Sequence, residues 1–258
     1  MKVITWKDFI NGTLKGSGSA ALSIGVFDGI HKGHQFIFNK LVNHNTNNSI
    51  ILTFTKNPRL FFQDRTYPGD IFTITQKLET MSLLGIDIVI LIDFSANFSK
   101  LTGKDFLSLI TENCDISFLS LGENFRCGKN GMTSSYEAIE ILREKNVHVE
   151  IEDMTYFEDQ LVSSTFIREA ILNGDLRKAQ YMLERVFSLD IAGIPQIIRD
   201  KTIIIETKDI KQVLPPQGYY VVRIGNSIKM QESRICLTTS EIEIPLQEMQ
   251  KLDFIKFI

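Results

Sequence analysis

Along the first two-thirds of the chain, continuous apolar runs alternate with stretches whose apolar positions recur every three or four residues. The run AALSIGVF (20–27) predicts a buried strand, and HQFIFNKLVNHN (34–45) has helical spacing. SIILTF (49–54) predicts the next strand, TQKLETMSLLG (75–85) a helix stopping at Gly85, and IDIVILIDF (86–94) another buried strand. GKDFLSLITENC, ISFLSLG, SSYEAIEILREKN and VHVEIED continue the alternation as helix, strand, helix and strand. Such repetition predicts βαβ units, hence a mainly parallel sheet with helices on both faces. Ligands bind at the carboxyl ends of the strands in sheets of that kind.

The texture changes near residue 186. STFIREAILNGDLRKAQYMLER (164–185) predicts two short helices broken at Gly174, with Asp175 capping the second. FSLDIAG, KTIIIETK, GYYVVRIG and RICLTTSEIEI are then short β-type runs separated by turn residues, and helical spacing returns only in LQEMQKLDF (246–254). The expected organisation is an α/β domain over residues 1–185 and a small β domain over 186–258.

SIGVFDGIHKGHQFIF (23–38) is where chemistry enters. An apolar strand runs into three glycines, an aspartate and two histidines, and then directly into a helix. Unpaired N–H groups and the dipole of a helix N-terminus favour an anion, and glycine lets it approach the backbone. His31 and His34 are three apart, so they share one side of the first turn and both can reach one phosphate chain. A second stretch, LVSSTFIREAI (161–171), sets Ser163, Ser164 and Thr165 before a helical run with Arg168 one turn in, which again offers donors to phosphate. Each stretch alone also fits a plain structural role, a glycine turn capped by Asp28 or an ordinary Ser/Thr cap; together in one α/β chain they favour a triphosphate site.

Other patterns are absent. Gly25, Gly29 and Gly33 do not form G-x-G-x-x-G, and GENFRCGKN misses a P-loop because five residues separate Gly122 from Gly128 and Asn130 stands where Ser or Thr would coordinate magnesium. A metal site on His31, His34 and Asp28 suits the glycine-rich surroundings less well than phosphate does. Over 258 residues the formal net charge is -3, which gives no electrostatic reason to bind nucleic acid or an anionic membrane. No apolar run reaches the roughly 18–20 residues of a membrane span, and MKVITWKDFINGTLKG lacks a signal-peptide pattern, so a cytoplasmic protein is expected. Three widely spaced cysteines (114, 127 and 236) predict reduced thiols rather than a disulfide or zinc framework. Oligomeric state is left open.

GVFDGIHKGH resembles the G-x-F-D-G-x-H-x-G-H signature of the bacterial flavin-adenine-dinucleotide (FAD) synthetases, nucleotidyltransferases with an H-x-G-H motif. VSSTFIREAILNGDLRKAQYMLER is similar to that family's S-S-T-x-I-R segment, and LGENFRCGKNG to its G-x-[ND]-F-x-x-G-K loop. The resemblance implies a Rossmann-like nucleotidyltransferase domain followed by a β-barrel-like domain, with AMP passing from ATP to flavin mononucleotide (FMN) and magnesium on the phosphates. It implies catalytic roles for His31, His34, Arg168 and Asn124. Gly25, Phe27, Asp28, Gly33, Ser163, Ser164, Thr165 and Arg126 would then contact ATP.

Two departures accompany it. The family's F-[DE]-P-H-P segment reads FTKNP here, so Thr55, Lys56 and Asn57 replace the acid and the histidine, with Lys56 and Arg59 as candidates for the flavin phosphate. VLPPQGYYVVRIG is similar to a strand of the family's riboflavin kinase domain, yet DIAGIPQIIRDKTIII lacks that kinase's G-R-x-x-G-x-P-T-A-N signature, Gln196 following Pro195 in place of threonine. The chain also ends at Ile258, ahead of the family's helical tail. The expectation is a reduced barrel without kinase activity. A different phosphorylated acceptor, or a flavin- or nucleotide-binding regulator that no longer turns over, stands as the alternative.

Overall fold

A computed structural model of the protein describes residues 1–64, 66–246 and 251–258. The chain forms two compact units, Met1–Tyr67 with Lys77–Leu161, and Pro68–Gln76 with Val162–Ile258.

The first unit is built on a parallel sheet of six strands among the described residues: β1 (Lys2–Thr5), β2 (Ala20–Ile24), β3 (Asn48–Phe54), β4 (Ile88–Ile92), β5 (Ile116–Gly122) and, beyond the short ribbon of β6 (Arg126–Cys127) and β7 (Thr133–Ser134), β8 (His148–Glu152). Their order across the sheet is β1-β4-β3-β2-β5-β8. The central strands are apolar on both faces because helices cover both; all five residues of β2 are buried. On one face Leu22, Ile50, Leu52, Ile90, Leu119 and Leu121 join Phe106, Ile110, Ala138 and Leu142 in a single core.

The first unit has six α-helices among the described residues, four of them on predicted stretches. They are α1 (Trp6–Ile10), α2 (Lys32–Asn43), α3 (Pro58–Phe61), α4 (Ile74–Leu83), α5 (Gly103–Asn113) and α6 (Ser135–Arg143). Local caps set the ends: the Thr102 hydroxyl accepts from Asp105 N, and Ser134 with Glu137 completes a capping box at α6. Gly85, just past α4, takes φ +84°, the left-handed conformation a helix stop uses. Several elements go beyond the sequence expectation, α3 among them. β1 and α1 precede the first strand read from the pattern, so that strand is second in the chain, and it ends at Ile24 rather than Phe27.

In the second unit, ribbon β9 (Tyr156–Phe157) and β10 (Gln160–Leu161) having closed the first, come α7 (Ser164–Leu172) and α8 (Leu176–Leu183). Gly174 breaks them at φ +78°, and Asp175 accepts from Lys178 N at 3.1 Å, as expected. An antiparallel, barrel-like sheet follows, in the order β11 (Ser188–Asp190), β17 (Phe254–Phe257), β14 (Gly218–Gly225), β15 (Met230–Leu237), β16 (Glu241–Pro245), β13 (Thr202–Glu206) and β12 (Ile197–Arg199). Gln212 ties segment 68–76 to it, donating to the Ile71 carbonyl at 2.7 Å while accepting from Asp190 N at 2.7 Å. Of the helical run expected over 246–254, residues 247–250 lie outside the described residues, and Phe254 opens β17 instead. Among the described residues no helix is long and apolar enough to cross a membrane.

Candidate active site

The loop between β2 and α2 is held in an unusual backbone shape. Phe27 and Ile30 have φ of +50° and +40°, which is costly for bulky side chains, and Gly29 has +76°. Such a conformation persists only where the surroundings over-determine it. Here the Val26 carbonyl accepts two hydrogen bonds, from Lys77 Nζ at 2.8 Å and Thr53 Oγ1 at 3.0 Å. Lys77, on α4, is only 7% exposed. A buried ammonium beneath a loop is expensive unless it is paired, and it adds positive charge at the end of β2.

His31 is the N-cap residue of α2 with extended backbone, and its side chain makes no capping bond to the first turn. Instead its ring stacks on His34, centroids 3.6 Å apart and planes 22° from parallel. Phe27 meets His34 edge-on at 5.1 Å and Phe38 at 5.0 Å. Spacing i, i+3 therefore does what the sequence implied, bringing both imidazoles to one side of a helix start. The glycines serve packing inside the loop: a Cβ on Gly25 would stand 2.9 Å from the Phe27 ring, and one on Gly33 would stand 3.3 Å from Thr155 Oγ1.

Beside this loop opens a cavity of about 680 Å³. Gly25, Phe27 and His34 line one side, and the loop after β5 lines another with Asn124, Arg126, Cys127 and Lys129. Phe54, Phe62, Phe94 and Phe98 complete it as a wall of edge-to-face rings, Phe94 lying 5.5 to 5.8 Å from each of the other three. That size and lining suit a drug-sized planar molecule, with polar groups at the imidazole end, on the cationic loop and at Ser99 and Lys100. Gly128 (φ +75°) passes so close to the Gly103 backbone that a Cβ would collide, which fixes the loop against α5. Burial pushes the Cys127 thiol up to about 12, leaving it a protonated apolar lining group.

Of the residues the sequence singled out, Gly25, Phe27, His34, Asn124 and Arg126 share the cavity lining, His31 stacks on one of them, and Asp28 and Gly33 belong to the same loop and first turn. Lys56 and Arg59 are not among the lining residues. Arg59 is engaged locally, bonded to Asp64 through Nε (2.8 Å) and NH2 (2.7 Å) and lying 5.0 Å over the Tyr67 ring. Asn57 accepts from Arg59 N to cap α3 and donates to the Tyr67 hydroxyl. Ser163, Ser164, Thr165 and Arg168 belong to the second unit: Ser163 caps α7 by accepting from Phe166 N at 3.2 Å, and Arg168, 5% exposed, donates through Nε to the Gly69 carbonyl at 2.9 Å. No motif or spacing singles out Lys77 or the phenylalanine wall. Strand- and loop-borne aromatics from separate segments read as ordinary core.

A family model described as FAD synthetase matches residues 14–166, which is more than half of the chain. The chain belongs to the FAD synthetase family. Membership makes this FAD synthetase relative an enzyme of the nucleotidyltransferase class. It is 31% identical over 186 residues to a bifunctional riboflavin kinase/FMN adenylyltransferase of Buchnera aphidicola subsp. Schizaphis graminum, a match covering 70% of this chain and 59% of that protein. It is 28% identical over 235 residues to the protein of the same description from Haemophilus influenzae, covering 87% and 74%. The chain thus spans less than two-thirds of the Buchnera protein and about three-quarters of the Haemophilus one. A crystal structure described as a macrolide-efflux protein from Streptococcus pneumoniae has a TM-score of 0.82 over 100% of this chain and 89% of that one; at 19% identity the likeness concerns the fold alone.

Proposed function

We propose that this protein transfers AMP from ATP to FMN and releases pyrophosphate, making FAD. One observation carries the reading: a stacked imidazole pair at a helix start borders an aromatic-walled cavity large enough for a flavin ring. A phosphomonoester is already an anion at neutral pH, so its attack on the α-phosphorus needs no general base. Catalysis then rests on orientation and on donors placed where charge develops. His34, which lines the cavity, donates to the transferred phosphate, with His31 beside it on the same phosphate chain. Asn124 and Arg126 serve the junction between ring and phosphate. Following the family's pattern, Ser163, Ser164, Thr165 and Arg168 serve the triphosphate and its leaving group, which extends the nucleotidyltransferase part to residue 185.

Among the described residues no three His, Cys, Asp or Glu side chains gather to hold a metal ion. Following the family's pattern, magnesium comes in on the triphosphate it accompanies.

For residues 186–258 we propose a barrel-like part that does not phosphorylate riboflavin. Gln196, at the position where the kinase signature has threonine, is occupied in pinning backbone: it donates to the Leu252 carbonyl at 2.6 Å and accepts from Leu252 N at 3.0 Å. Chromatography of flavins after incubation with ATP and magnesium tests both proposals. FAD with matching pyrophosphate from FMN, and no product from riboflavin, is expected. FMN formed from riboflavin overturns the second proposal, and absence of FAD overturns the first.

A further inference from the structure

The edge of the parallel sheet carries a polar chain that the cavity does not use. Glu152 ends β8 and is 6% exposed. Lys40, on α2, donates through Nζ to both Glu152 carboxylate oxygens (2.8 and 2.7 Å) and to Glu150 Oε2 (2.7 Å). Ser120 Oγ, in β5, donates to Glu152 Oε1 at 2.8 Å, and Ser23 Oγ, in β2, donates to the Ser120 carbonyl at 2.6 Å. The Glu152 carbonyl accepts from Glu123 N at 3.3 Å, one residue before Asn124. His148 Nε2 lies 3.1 Å from Glu150 Oε1 on the outer side. The hydrogen bond from Lys40 holds the Glu150 carboxyl below its ordinary value.

An ion pair of which only one partner, Glu152, is buried contributes little net stability compared with apolar side chains of the same volume. What this one does is geometric. The Glu152 carboxylate joins the histidine-bearing helix to β5 and β8, with β2 one hydrogen bond further on through the Ser120 carbonyl, while the main-chain carbonyl of the same residue holds the backbone next to Asn124. We propose that Glu152 is a positioning residue: through Lys40 it sets the tilt of α2, and through its carbonyl it sets the Asn124 loop. Lys40 is eight residues from the start of α2, about 12 Å at 1.5 Å per residue, so a tilt of about 5° moves the histidine end by about 1 Å. A displacement of that size at reacting groups costs on the order of 100-fold in rate. The role of the histidines rests on the AMP-transfer reading above.

The test uses the full chain and the variants Glu152→Gln, Lys40→Met, Lys40→Arg and the double variant Glu152→Gln/Lys40→Met. Glutamine keeps the shape and still accepts from Ser120 while removing the charge. Expected are a fall in kcat of about tenfold or more for Glu152→Gln and Lys40→Met, KM for ATP and FMN within about twofold of the parent, and a double variant no worse than either single change. Lys40→Arg should recover most of the rate. A Glu152→Gln enzyme with the parent kcat, or losses that multiply in the double variant, would overturn the proposal. If the parent itself makes no FAD, the functional reading fails separately, and NMR of the histidine rings decides the positioning claim. Glu152→Gln should move the His31 and His34 ring signals, and unchanged signals would refute it.

Discussion

Replacing Gly25 with alanine sets a methyl group against the ring of Phe27. The added Cβ would stand 2.9 Å from Phe27 Cζ and 3.0 and 3.1 Å from its two Cε atoms. Carbon atoms in contact rest about 3.5–4.0 Å apart, so the ring must retreat by roughly 0.5–1 Å. It has little freedom to do so. Phe27 is buried with φ fixed at +50°, its ring lies against Phe38 and His34, and His34 is stacked on His31. The displacement therefore passes to the imidazole pair. Overpacking of this kind costs about 1–3 kcal/mol, which corresponds to a fall in Tm of roughly 3–10 °C for a chain of this size. Moving His34 by a comparable distance should lower AMP transfer by about 10- to 100-fold. Thermal unfolding and FAD formation, measured on the same preparation, give both numbers. Adding Phe27→Leu to the alanine variant removes the far edge of the ring and should return part of the stability. An alanine variant with the parent Tm and turnover would refute the coupling, because it would mean that the ring moves aside without disturbing the histidines.

Lys77→Met removes one of two donors on the Val26 carbonyl; since a buried hydrogen bond from a charged group contributes about 1.5–3 kcal/mol, Tm and AMP transfer should fall together. The exposed control Lys104→Met should leave both unchanged, and a Lys77→Met protein that behaves like the control would show that the loop does not depend on it. The hydroxyl of Thr66 and the guanidinium of Arg59 lower the Asp64 carboxyl from 3.8 to about 2. A folded value below the unfolded one means that the stabilisation of the loop is complete above 3.8 and is lost as pH falls toward about 2. Carboxyl NMR should find that midpoint and a higher one in Thr66→Ala; an ordinary midpoint in the parent would contradict the contacts. Burial pushes the thiols of Cys114 and Cys127 up to about 11 and about 12, so both should resist alkylation at neutral pH until the protein is denatured. Rapid labelling of Cys127 in the native protein would count against its place in the cavity wall.

How much of this was legible in the sequence depended on whether a feature is local. β3, β4 and β5 announce themselves as unbroken apolar runs, and α5 and α6 carry their caps at fixed offsets, so pattern and structure agree. β1 hides because only Ile4 of its four residues is buried, and α1 is too short to show a period. The histidine pair was legible for the same reason as the helices, since i, i+3 spacing on a first turn is local geometry. Phe54, Phe62, Phe94 and Phe98 converge from separate segments, and no spacing encodes that meeting. The ion pair of Arg59 with Asp64, five residues on, is likewise a product of the turn that brings them together and not of any spacing the pattern shows. Lys77 has the spacing of a solvated helix residue, and only the packing of α4 buries it.

The most direct test of the central claim follows label from the α-phosphate of ATP into flavin, comparing the purified parent with His34→Ala at saturating ATP and FMN. The account predicts that the parent moves label into FAD in step with pyrophosphate release, and that His34→Ala does so about 100-fold more slowly, the loss expected when a donor to a developing negative charge is removed. No labelled FAD from the parent, or an alanine variant as fast as the parent, would contradict it.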